Sequence, residues 1–156
     1  MPIPCVDTIV HKDNKVLLGY RTILPYRNVW ALIGGRMHYG ESFNDTAIRN
    51  CRQSGLTIEQ LQYVGVFPIM FRKGRHDLSF CIAARHVSGQ PKPTLELSRY
   101  TWVAKRDLKR IHPVGGNYLK MIGKWWCSQQ SPTQTQHVSR LHQSNDEDPG
   151  RSRRKV

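Results

Sequence analysis

Residues 34 to 56, GGRMHYGESFNDTAIRNCRQSGL, decide how this chain folds. Ser42 followed three residues later by Asp45 forms a capping box, in which each side chain satisfies a backbone amide left free at a helix start. Phe43, Ala47, Ile48 and Cys51 then fall on one stripe at helical spacing, while Arg49, Asn50, Gln53 and Ser54 point away from it. Gly55 supplies the left-handed residue that ends the helix. The stretch therefore reads as a glycine loop feeding a capped amphipathic helix, with one face for the core and another for chemistry.

Upstream, Val6 to Val10 has a strand pattern, and Asp13-Asn14 turns the chain into a second strand, Lys15 to Arg21. Asp7 lies inside the first strand, where a carboxylate is costly unless it meets a donor or a ligand. Val29 to Ile33 reads as a buried strand entering the glycine loop. Downstream, Tyr63 to Phe71 and Leu78 to Arg85 read as strands joined by the basic turn Arg72 to Asp77; a solvated hairpin tip accounts for that turn, with phosphate contact as the alternative. Arg99 to Ala104 is a further strand, Lys105 to Arg110 a helical turn, and Asn117 to Trp126 a terminal helix presenting Tyr118, Met121, Ile122 and Trp125.

The chain has 156 residues, 38% of them hydrophobic, enough for one domain with a real core. No apolar run approaches the roughly 18 to 20 residues of a membrane helix, and the N-terminus lacks a charged segment before its apolar stretch. A soluble, cytoplasmic protein is expected. Cys5, Cys51, Cys81 and Cys127 form no CxxC pair, so free buried thiols are expected rather than disulfides or zinc. After Cys127 the composition turns to Gln, Ser, Thr, His and Arg, too polar to bury surface, so 128–156 is expected to be a disordered polar, basic tail. That tail carries five basic and three acidic residues, which leaves +11 of the +13 net charge on the body.

Gly35, Glu41 and Arg49, with five and seven residues between them, followed by Gly55-Leu56, resemble the box of the Nudix hydrolases, which cleave nucleoside diphosphates linked to another moiety. Within the family the resemblance is to the GDP-mannose mannosyl hydrolase branch. It rests on Val6-Asp7-x-Ile9-Val10, Leu17-Leu18-Gly19-x-Arg21-Thr22, Trp30, Gly34-Gly35-Arg36, Tyr100-x-Trp102, and His112 with Tyr118 six residues on. The resemblance implies an α/β fold, a Nudix-type α/β/α sandwich with a mixed sheet, formed by 1–127 as a Nudix-like domain. The copy also departs from the family. Where the usual box runs Arg-Glu-apolar-x-Glu-Glu-x-Gly, this chain has Arg49-Asn50-Cys51-Arg52-Gln53-Ser54-Gly55, one residue shorter and without the helix carboxylates.

That branch implies water attack at the sugar carbon, with His112 as base, Arg36 and Arg21 on the diphosphate, and Asp7 near the sugar. It also implies one Mg²⁺, for which Gly34 and Glu96 are the matching ligands and the middle ligand has no counterpart; a weak or substrate-dependent magnesium site and a metal-independent site are both left open. Gly35, Glu41 and Arg49 are the structural members of the box. The function expected is hydrolysis of a GDP-mannose-like nucleotide sugar, the alternative a catalytically inactive domain that binds nucleotide or RNA. The partners considered are that nucleotide sugar, nucleic acid without specificity, and a second copy of the chain in a homodimer; no membrane is implied.

A body charged +11 attracts polyanions through counterion release, which carries no sequence information. Nucleic acid is expected to bind without sequence preference and with an affinity that falls steeply as salt rises. Fluorescence polarisation of two unrelated oligonucleotides over a salt series checks this, and an affinity that survives severalfold more salt, or that selects one sequence, overturns it.

Overall fold

The computed structural model describes residues 1–130. The expected tail, 128–156, therefore lies outside the described residues from 131 onward, while Ser128 and Gln129 close the last helix.

Strand β1 (Ile3–Lys12) is the axis of a mixed seven-stranded sheet, and Val6 to Val10 are buried on both of its faces. It runs parallel to β6 (His76–Ser88), which pairs antiparallel with the long β5 (Thr57–Met70). On its other edge β1 meets β2 (Lys15–Arg21) only beside the turn, at His11↔Val16 and Lys12↔Lys15. Away from the turn the two strands take different neighbours. Cys5 to Thr8 of β1 pair with β4 (Ile33–Arg36), whereas β2 pairs with β3 (Val29–Ala31) and β7 (Leu97–Ala104). The diverging ends carry Cys5 and Asp7 on one side and Arg21 on the other.

Helix α1 (Phe43–Gln53) begins at the capping box, where Asp45 N donates to Ser42 Oγ at 3.1 Å and Ser42 N donates to Asp45 Oδ2 at 2.9 Å. It packs over β1 and β6, with Ala47 against Val6 and Ile82 and Phe43 stacked on Phe80 at 4.1 Å between centroids. Helix α2 (Tyr118–Gln129) buries Tyr118, Met121, Ile122, Trp125 and Trp126, four of which join Leu17, Leu18 and Val103 in the larger core and the fifth, Tyr118, joins them beside the cleft described below. The four cysteines are free; Cys51 and Cys81 are buried as expected, but Cys5 is half-buried and Cys127 exposed.

Two expectations are corrected. Gly34-Gly35 is not a loop: the chain breaks after Ala31 and resumes as β4, with Gly34 opposite Asp7. A side chain at Gly34 would collide with the Asp7 carboxylate, so the glycine is what allows β4 to lie against β1. Nor do Asn50 and Ser54 point away from the core; they are 4% and 2% exposed. Helix α1 is covered on a second side by β4, where a Cβ at Gly35 would come within 2.8 Å of Asn50 Oδ1.

Asp7 is 7% exposed and accepts a hydrogen bond from Ser79 Oγ, which lies diagonally across the parallel β1/β6 pair, opposite Cys5. Burial pushes its carboxyl up from 3.8 to about 6, against the opposing pull of the Ser79 hydrogen bond and the Arg21 charge. The folded state thus holds the Asp7 proton longer than the unfolded chain does. The cost is nil below an ordinary carboxylate pKa, grows between 3.8 and about 6, and is constant above. It amounts to on the order of 2 to 3 kcal/mol for the ionised group. Asp7→Asn keeps an acceptor for Ser79 and removes the charge, so it is expected to melt several degrees higher than the parent at about pH 8, the advantage fading towards about pH 4. Melting curves across that range decide it, and a difference that does not change with pH overturns it.

Candidate active site

The diverging ends of β1 and β2 open into a cleft of about 770 Å³. Its lining includes Asp7 from β1, Arg21 from the end of β2, Gly34, Gly35 and Arg36 from β4, and Asn50, Gln53 and Ser54 from α1. Arg75, Asp77 and Ser79 enter from β6 and the turn before it, and Glu96 from the loop before β7. Tyr26, Phe71 and Tyr118 give one part of the wall an aromatic character, with Tyr26 5.4 Å from Phe71 and 6.4 Å from Tyr118 between centroids.

The segment between β4 and α1 is held by one ion pair. Arg49 Nε donates to Glu41 Oε1 at 2.6 Å and Arg49 Nη2 to Glu41 Oε2 at 2.9 Å, while Nη2 also reaches the Arg36 carbonyl at 2.9 Å. Glu41 further accepts from the His38 amide at 2.9 Å and Thr46 Oγ1 at 2.8 Å. These donors, Arg49 first, hold the Glu41 carboxyl far below the usual carboxylate range.

Most other charges in the cleft are also paired. Arg21 Nη1 donates to Glu96 Oε2 at 3.0 Å, and its remaining donors reach the Ile23 and Leu24 carbonyls. Arg75 donates to both oxygens of Asp77, at 2.9 and 2.6 Å, and lies over the Phe71 ring. The Arg75 hydrogen bonds hold the Asp77 carboxyl below its ordinary value. Beside it, burial and then the Asp77 and Asp7 charges push the Cys5 thiol up to about 12, so it stays protonated near neutrality. Arg36 is exposed, and among the described residues no hydrogen bond or ion pair engages its guanidinium.

The structure gathers Asp7, Arg21, Gly34, Arg36 and Glu96 in this one cleft, with Gly35 and Arg49 beside them. It does not bring His112 to them. That residue is exposed on the loop before α2 and is not part of the lining, although Tyr118, six residues on, is. In the sequence, Arg72 to Asp77 reads as a solvated tip, with phosphate contact as the alternative, and Ser79 has no assigned role. The signal was the alternation Arg75-x-Asp77-x-Ser79, polar residues aimed at one face of a strand that is otherwise apolar.

The donor set does not fit a divalent cation. Magnesium takes carboxylate oxygens and keeps several waters. Among the described residues no group of three His, Cys, Asp or Glu side chains could hold a metal. The Glu96 carboxylate is occupied by Arg21, and Asn50 Nδ2, on the cleft side of α1, is a buried donor with no partner. An unsatisfied N–H repels a cation and wants an acceptor.

A family model, the NUDIX domain, matches residues 1–122. The uncharacterised Nudix hydrolase YvcI of Bacillus subtilis is 31% identical over 125 residues, 76% of this chain and 77% of that protein. The ADP-ribose pyrophosphatase of Methanocaldococcus jannaschii is 31% identical over 93 residues, 58% of this chain and 55% of its own length. Among solved structures, a NUDIX hydrolase from Nitrosomonas europaea superposes with a TM-score of 0.74 at 17% identity, covering 85% of this chain and 93% of that one. The NUDIX domain of Shewanella oneidensis NrtR, complexed with ADP ribose, superposes at 0.70 and 19% identity, covering 83% and 89%. A seven-stranded mixed sheet flanked by helices, a glycine strand locked to a capped helix by Glu41 and Arg49, and a family model spanning most of the chain agree: the protein belongs to the Nudix family.

Proposed function

We propose that the cleft binds a nucleoside diphosphate joined to a sugar and hydrolyses it by attack of water on the sugar carbon. The observation that carries this reading is the placement of a buried carboxylate, Asp7, in the same cleft as the unpaired guanidinium of Arg36. In this step the water oxygen bonds to the anomeric carbon, the bond from that carbon to the diphosphate oxygen breaks, and the diphosphate leaves with the electron pair. Arg36 stabilises the charge gathering on the leaving group. Asp7 receives the proton of the water; a carboxyl held near 6 is matched to such a transfer at neutral pH. His112, the base implied by the branch, is the competing assignment, and its exposed position outside the lining favours Asp7. The solved relative complexed with ADP ribose supports a nucleotide conjugate as the ligand class, and GDP-mannose is the probe that suits carbon attack.

A second reading, an inactive domain that binds nucleotide or RNA, is favoured by the α1 side of the cleft, where Asn50, Gln53 and Ser54 carry no carboxylate. Turnover of GDP-mannose in heavy-oxygen water separates the readings. Carbon attack places the label in the released sugar and none in the nucleoside diphosphate; label in the phosphate overturns it, and no turnover on a panel of nucleotide sugars leaves the binding domain. Asp7→Asn is expected to lower kcat by about 10² to 10⁴-fold with little change in nucleotide affinity, whereas His112→Gln changes kcat less than about threefold. The reverse pattern returns the role of base to His112.

A further inference from the structure

Nudix hydrolases generally use a divalent cation, typically magnesium, to meet the phosphates of their substrates. The α1 side of this cleft carries the opposite chemistry. Asn50 is 4% exposed and lines the cleft. Its carboxamide orientation is fixed because Oδ1 accepts from Arg49 Nη1 at 3.1 Å, which leaves Nδ2 as the outstanding donor. Among the described residues that nitrogen has no acceptor. A buried amide donor left unsatisfied costs on the order of 1 to 3 kcal/mol, and an acceptor brought by a ligand recovers that cost.

The nearby groups point the same way. Arg36, which leaves β4 one residue after Gly35, has an unengaged guanidinium, and Gly35 itself presents no side chain against the Asn50 amide. Gln53, one helical turn beyond Asn50, is exposed on the same cleft wall. The acids that would compete with an anion are neutralised: Glu41 by Arg49, Asp77 by Arg75, and Glu96 by Arg21. Asp7 accepts from Ser79 Oγ and, among the described residues, has no cation within ion-pair distance.

We propose that this wall is an anion subsite which takes diphosphate oxygens directly, on the Asn50 carboxamide and the Arg36 guanidinium, without a bridging divalent cation. Because Nδ2 is enclosed, a phosphate oxygen accepts from it once the carboxamide swings out from beside Gly35, while Arg36 supplies the charge that a metal ion otherwise would. The inference rests on the reading of the cleft as a diphosphate site, but it requires no turnover.

Inorganic pyrophosphate is the probe, titrated calorimetrically into the full chain in EDTA and again in excess magnesium. The affinity in EDTA is expected to match that in magnesium within about twofold. Asn50→Asp and Arg36→Gln are each expected to weaken binding in EDTA by about tenfold or more, the loss of one charge-assisted hydrogen bond. Asn50→Asp should recover affinity when magnesium is added, because it places a carboxylate where the cation can bridge. Pyrophosphate should also shift the Asn50 side-chain amide resonances in the parent protein. Should Asn50→Asp fail to fold, Arg36→Gln and the amide shifts decide the matter, since Arg36 is exposed. Binding that appears only with magnesium overturns the proposal, as does binding in EDTA that leaves the Asn50 amide unshifted. Pyrophosphate binding in EDTA without hydrolysis of any nucleotide sugar would sink the hydrolase reading and leave this one standing; hydrolysis with strictly magnesium-dependent binding would do the reverse.

Discussion

The ion pair between Glu41 and Arg49 is the constraint on which the cleft depends. Its partners come from opposite ends of a loop and a helix, and the guanidinium also reaches the Arg36 carbonyl and the Asn50 amide. One side chain therefore fixes the end of β4, the start of α1 and the orientation of a cleft residue together. A solvent-exposed ion pair is worth little by itself, but this one is bidentate and partly shielded, with side chains 24% and 18% exposed, and Thr46 and the His38 amide complete it. Besides the Glu41 carboxylate contacts, the segment from Met37 to Ser42 is held by the Met37 amide on the Pro4 carbonyl, a local turn bond at Glu41 and the capping box at Ser42.

The second constraint opposes stability. Strand β1 carries a carboxylate at the point where three strands converge, and the sheet accommodates it by giving up a side chain opposite, at Gly34, and by supplying a hydroxyl from Ser79. A hydrophobic residue at position 7 would pack at no electrostatic cost. Retaining a costly group in the lining of a cleft is the usual sign of a site where function and stability conflict.

How much was legible in the sequence followed the range of the interactions. The capping box, the left-handed Gly55 and the amphipathic stripe of α1 all lie between Ser42 and Gly55, and the structure has each of them. Glu41 and Arg49 are named through the resemblance to the Nudix box as its structural members, and the structure pairs them. Asn50 was not legible, since its burial comes from β4, a strand that forms only because Gly34 and Gly35 can approach β1 and α1. Arg75 and Asp77 reach the cleft through the parallel register of β6 on β1, an association across some seventy residues; their alternation with Ser79 marks a polar face but not the strand that face meets. His112 comes from the resemblance to the branch, in which it precedes Tyr118 by six residues; here α2 fixes Tyr118 in the cleft while the preceding loop leaves His112 exposed.

The charge of the molecule and the recognition in its cleft belong to different length scales. The +11 body raises the local concentration of any anion, but at physiological ionic strength that attraction is screened over about 8 Å and distinguishes no ligand from another. Within the cleft three of the four arginines are matched to their own carboxylates, so they shape the walls more than they add net charge. What remains uncompensated is small and local: the guanidinium of Arg36, the amide of Asn50 and the buried Asp7. Selectivity at such a site depends on hydrogen-bond geometry at a few atoms, where salt screens weakly and a single misplaced acceptor is costly. On the proposed reading of the cleft, the surface charge governs how fast anions arrive, and these three side chains govern which of them stays.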